Sequence, residues 1–165
     1  MPIVLQNIFR FIFLVLVQVL VLNNVQFLGF INPYIYILFI LSLPVLTPRW
    51  LSVILAFGLG ITIDAFSNTM GMHAFAAVLI AFLRNGTVNL FIALDEGNSP
   101  TPSFYTFGVS DYVKYIVVLV FIHHATLFFL EAFTLMNFWF TLSKIILSSV
   151  VTILLILGIQ SLKTK

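Results

Sequence analysis

Apolar residues run along this chain in six stretches, at roughly 8–28, 33–46, 50–66, 70–83, 112–131 and 138–160. Crossing a bilayer core of about 30 Å takes roughly 20 helical residues, and the first, fifth and sixth stretches have that length. The second and fourth, at about 14 residues each, reach only about 21 Å at 1.5 Å per residue. These two are expected to tilt, to be shielded by neighbours or to thin the bilayer locally, with a re-entrant path as the alternative. Asn32-Pro33 and Thr47-Pro48 are turn signals between stretches. The one long loop, 85–111, divides into an apolar part at 88–94, expected in the interface, and a turn-rich exposed part at 95–102. The pattern predicts an all-α, polytopic integral membrane protein: a single transmembrane domain of six helices spanning 1–165.

Composition agrees with this. The chain is 62% hydrophobic and 7% charged, against about 25% charged in soluble domains, too little to cover a water-facing surface. The excess of Lys and Arg is scattered, so it reads as topology and not as nucleic-acid binding. With six spans, Arg10, Arg49, Arg84, Lys114, Lys163 and Lys165 fall on one side and only Lys144 on the other. The positive-inside rule then puts both termini in the cytoplasm. The run from Phe11 to Leu22 after Arg10 has no small-residue cleavage pattern behind it and is expected to stay as the first span. Cysteine is absent, which excludes disulfides, thiolate nucleophiles and Cys-based metal sites.

Polar residues inside the apolar stretches are the candidates for function. Ser52, Ala56, Gly60 and Asp64 recur every four residues in the third stretch; His73, Ala77 and Ala81 do so in the fourth, with Arg84 just beyond. Small residues let helix backbones approach in lipid, so these stripes predict a close hairpin around the tight loop Ser67–Gly71. Asp64 and His73 then sit near the outer helix ends, bonded to each other or to loop amides. A ligand or partner contact is the alternative reading of that edge. His123 and His124 lie near the middle of the fifth stretch and diverge by about 100°, so they do not share one metal ion in a simple way. They are expected as neutral imidazoles bonded to the row Thr141, Lys144, Ser148 and Thr152 of the last helix, with a proton relay as the alternative. Glu131 and Lys144 flank the outer loop and are expected to pair.

Several segments resemble the rod shape-determining MreD family, particularly its Bacteroidetes-type members. They are the span from Arg10 to Asn24, NPYIYILFILSLP at 32–44, TPRW at 47–50, and GLGITIDAFSNTMGMHAFAAVLIAFLR at 58–84. The most specific part is glycine, aspartate, then Gly-x-His after a short loop, carried by Gly60, Asp64, Gly71 and His73. The resemblance implies a non-enzymatic inner-membrane subunit of the bacterial cell-elongation machinery. Its implied partners are the scaffold MreC, through it the actin-like MreB, and the glycan polymerase RodA with its partner transpeptidase. It also implies a six-helix body similar to the substrate-capturing (S) subunits of energy-coupling-factor transporters, with no cofactor and no catalytic residues to carry over.

Two other functions stay open from the residues themselves. A small-molecule capture subunit needs a pocket of convergent polar groups, for which Asp64, Asn68, His73, Glu131 and Lys144 are the outer candidates. An intramembrane enzyme needs Asp64, His123 or His124 in a reactive role; the chain has no HExxH, no GxSxG and no phosphate-cradling glycine loop.

Overall fold

Without water, every backbone N–H and C=O must find a partner inside the chain, so continuous apolar runs coil into helices. The computed structural model describes residues 3–25, 29–91, 100–134 and 136–162. Among these the chain is all-α: α1 Ile3–Leu20, α2 Leu38–Leu41, α3 Arg49–Ser67, α4 Met72–Phe91, α5 Phe104–Phe107, α6 Val109–Ala132 and α7 Phe138–Leu162. Five are long and apolar enough to cross a membrane: α1 with the 3-10 turn that follows it, α3, α4, α6 and α7. Pro48 precedes α3, and Asn68 ends it in the left-handed conformation (φ 54°), donating its N–H to the Asp64 carbonyl. Asparagine tolerates that conformation better than other side-chain-bearing residues, and Gly71 (φ 80°) then turns the chain back into α4.

α3 packs most extensively on α4, α4 on α6, and α6 on α7, while α1 lies against α3. Large side chains such as Phe9, Phe13, Ile54, Phe57, Phe75, Phe121 and Leu154 face outward, as lipid-solvated helices require. Trp50 and Trp139 stand exposed at the starts of α3 and α7, where interfacial anchors belong.

The second apolar stretch takes a different form. It is a 3-10 turn, Ile35–Ile37, running into the four-residue α2, and nearly all of it is inaccessible, with Tyr36, Ile37 and Ile40 at 0% exposure. Arg10 bonds the Ser42 carbonyl at 3.0 Å and Gln18 bonds the Pro33 carbonyl at 3.1 Å, so this segment runs antiparallel to α1. The eight-residue interval on α1 covers about 12 Å of depth. The return path from the end of α1 to the start of α3 is thus a short, irregular segment wrapped in protein, in place of the sixth spanning helix expected. Of the expected outcomes, shielding by neighbours is the one realised. Irregular backbone at this depth survives only where side chains replace the missing helical bonds. Gln18 Oε1 accepts from the Ile35 and Tyr36 amides at 2.9 and 3.4 Å. Thr152 accepts from the Tyr34 amide and Ser148 from the Asn32 amide, both at 3.1 Å. At the other end Tyr115 donates to the Leu41 carbonyl at 3.0 Å, and Arg84 to the Leu43 and Pro44 carbonyls.

The fourth stretch also departs from expectation. α4 continues to Phe91, so it is a full-length span, and the start of the expected loop, including 88–91, is helix. The remainder of the apolar 88–94 part and the exposed tract up to Ser99 lie outside the described residues. Arg84 was expected as a loop cation; it is fully buried within α4. Its guanidinium sits on consecutive carbonyls that follow α2, a cation at the negative end of a helical turn.

Candidate functional site

The first turn of any helix has N–H groups with no partner in the helix, and the residue before α4's first turn, Gly71, has no side chain to cap them. Asp64 does this from the neighbouring helix. Its Oδ1 accepts from the His73 amide at 3.1 Å and its Oδ2 from the Ala74 amide at 2.9 Å. A carboxylate placed here also meets the positive end of the α4 dipole. Oδ1 further accepts from Thr69 Oγ1 at 2.5 Å and from His73 Nδ1 at 3.0 Å. Because Nδ1 carries the proton toward Asp64, His73 presents Nε2 as an acceptor. One turn down α3, Gly60 lets the α4 backbone approach: a Cβ there would lie 2.7 Å from the Ala74 nitrogen and 2.8 Å from the His73 carbonyl. Ser52, Ala56, Ala77 and Ala81 are buried along the same two helices.

Asp64→Asn tests the capping role. An amide keeps one acceptor but turns an NH₂ toward one of the donors now facing a carboxylate oxygen. Thermal unfolding of the detergent-purified protein should show a loss of about 1–3 kcal/mol, the cost of a buried unsatisfied group. An unchanged midpoint would remove the cap from the account.

All three histidines of the chain converge on the aromatic residues of the second segment. The Tyr34 ring centroid lies 5.3 Å from His73, 6.1 Å from His123 and 5.5 Å from His124. The Tyr36 hydroxyl pairs with His123 Nε2 at 2.7 Å, while His123 Nδ1 has no partner among the described residues. His124 donates from Nδ1 to the Val120 carbonyl at 2.9 Å, and its Nε2 meets the Thr152 hydroxyl at 3.1 Å. Thr152 thus joins α6, α7 and the second segment in one relay of bonds. Ser148 and Lys144 of the α7 row act elsewhere. Ser148 caps Asn32, and Lys144 pairs with Glu131 at 2.8 Å with its ammonium 4.6 Å from the Phe128 ring centroid. Among the described residues no three of His, Asp or Glu group as a metal set.

Sequence reasoning located Asp64, His73, the histidine pair and the hydroxyl row. It missed Gln18, Tyr34, Tyr36, Tyr115 and Thr69, and it misplaced Arg84. Gln18 left a readable trace, as the one amide inside the apolar run from Phe11 to Leu22. Next to the Asp64–His73 pair the bundle opens into a cavity of about 400 Å³, lined among others by Asn23, Asn32, Tyr34, Thr69, His73 and Glu131. No protein-family model, curated protein or solved structure matches the chain.

Proposed function

We propose that this chain is a non-enzymatic scaffold subunit of the bacterial cell-elongation complex, seated in the inner membrane with both termini in the cytoplasm. It binds MreC, reaches MreB through it, and stands beside RodA and its partner transpeptidase. The observation that carries this reading is the convergence of Gly60, Asp64, Gly71 and His73. The four positions on which the resemblance is most specific form one hairpin end, where close helix approach, a left-handed glycine and a cross-helix cap depend on one another. Two further observations support it. The buried polar side chains Gln18, Ser148, Thr152, Tyr115 and Arg84 hold the second segment in place, a structural use of groups that chemistry would otherwise need. Arg49 begins α3 and Lys114 lies in the second turn of α6, toward the end of the bundle opposite Lys144, in keeping with the positive-inside orientation.

Gly60 and Asp64 lie between α3 and α4, so a partner meets what the hairpin shows outside. Phe66 is 66% exposed and Met70 97% exposed, and both flank the turn. Co-expression of the tagged chain with MreC, followed by detergent extraction and pull-down, tests the proposal. MreC is expected to co-purify with the unaltered chain. Recovery should fall about tenfold, equivalent to about 1.4 kcal/mol, with Phe66→Ser combined with Met70→Ser, while the variant stays monodisperse. Absence of MreC from the unaltered chain's eluate would refute the scaffold reading.

A further inference from the structure

We propose that the cavity beside the Asp64–His73 pair binds a primary ammonium group. The walls come from the end of α1, the second segment, the α3–α4 turn and the end of α6, and the volume of about 400 Å³ is within the range of small-ligand sites, about 300–1,000 Å³. Its walls carry amide, hydroxyl, imidazole and carboxylate groups. None of its described lining residues is Lys or Arg, whereas Glu131 is a carboxylate on its wall. Asp64 stands directly behind His73, bonded to Nδ1 at 3.0 Å. That bond fixes the imidazole so that Nε2 offers a lone pair, and no hydrogen bond from a described residue occupies it.

Charge decides among the possible ligands. The charged side chain on the described lining is Glu131; its ion-pair partner Lys144, at 2.8 Å, is absent from that lining, and Asp64 lies behind His73 with its oxygens bonded to Thr69, His73 and Ala74. With neutral imidazole the described wall carries a carboxylate and no cation, a balance that disfavours anions and gives a neutral polyol no advantage. An ammonium group gains from that balance and brings N–H donors for Nε2, for Glu131 and for a side-chain amide such as that of Asn32. The Tyr34 ring, with its centroid 5.3 Å from that of His73, adds an aromatic face of the kind that attracts cations. The ammonium could belong to the headgroup of an aminophospholipid or to a free small amine. The inference is independent of the scaffold reading, because it concerns the isolated chain.

The test uses the purified full chain in detergent. Its thermal unfolding midpoint is measured with ethanolamine, and with glycerol or acetate at matched concentration and ionic strength. Native mass spectrometry then compares retention of phosphatidylethanolamine with phosphatidylcholine, whose quaternary nitrogen has no N–H to donate. Ethanolamine should raise the midpoint where glycerol and acetate do not. Glu131→Gln should weaken binding at least tenfold, and Lys144→Gln, which removes the competing cation, should tighten it. Preference for phosphatidylethanolamine that depends on Glu131 supports the site and assigns a lipid source; an ethanolamine shift without lipid preference supports it and assigns a free amine. Equal shifts with glycerol, binding indifferent to both substitutions, or no shift with no lipid preference each overturn the proposal.

Discussion

Gln18→Leu is expected to release the second segment from the bundle. The leucine is of similar size and at home in an apolar helix, so the substitution isolates the hydrogen bonds. It strips the Ile35 amide of its partner at 2.9 Å and the Pro33 carbonyl of its partner at 3.1 Å. Both groups lie in a buried segment, with Tyr36 and Ile37 at 0% exposure. At about 1–3 kcal/mol for each buried unsatisfied group, the loss is about 2–6 kcal/mol, a large part of a typical folding free energy of about 5–15 kcal/mol. The absence of native cysteine makes the measurement clean. A cysteine introduced at Ile37 should resist maleimide in the otherwise unaltered protein and react readily when Gln18 is leucine. Equal protection in both backgrounds, with equal unfolding midpoints, would mean that the segment holds itself in place.

Two glycines in α3 should respond to the same substitution with opposite signs. Gly60→Ala places a methyl group 2.7 Å from the Ala74 nitrogen and 2.8 Å from the His73 carbonyl oxygen. These are backbone atoms, so no rotamer change relieves the overlap and the two helices must separate. Overpacking typically costs about 1–3 kcal/mol, and here the displaced element also carries the amides that Asp64 caps. Gly58→Ala meets nothing within 4 Å and replaces a poor helix former with a good one, worth up to about 1 kcal/mol. Thermal unfolding of the two single variants should therefore bracket the unaltered protein, Gly60→Ala below and Gly58→Ala at or above it. Similar midpoints for both would show that α3 and α4 are not held at the distance the glycine permits.

Much of this was legible without coordinates, for reasons that particular residues make plain. The small-residue stripe through Ser52, Ala56 and Gly60 is a local periodicity, and periodicity alone identifies a packing face. Asp64 and His73 are nine residues apart across a tight turn, so chain connectivity nearly forces their encounter. Glu131, in the last turn of α6, and Lys144, about two turns into α7, are joined by a short loop and pair for the same reason. The path of the second stretch was open because its polar partners are remote in sequence. Gln18 reaches it from α1, Thr152 from α7, Tyr115 from α6 and Arg84 from α4. A window sliding along the chain sees an apolar run of borderline length and none of those groups.

Hydropathy is a sum over single residues, so the chain's order of amino acids was enough to determine a lipid-solvated all-α architecture and the hairpin that Gly60 allows. Depth and burial are properties of pairs. Only the folded arrangement decided that Arg84 serves the carbonyls of Leu43 and Pro44 inside the bundle, that three histidines gather on Tyr34, and that a short irregular segment lies buried where a helix was expected. The physical reason is that an irregular backbone in lipid is stable only when distant side chains replace its missing hydrogen bonds, and distance along the chain hides them until it has folded.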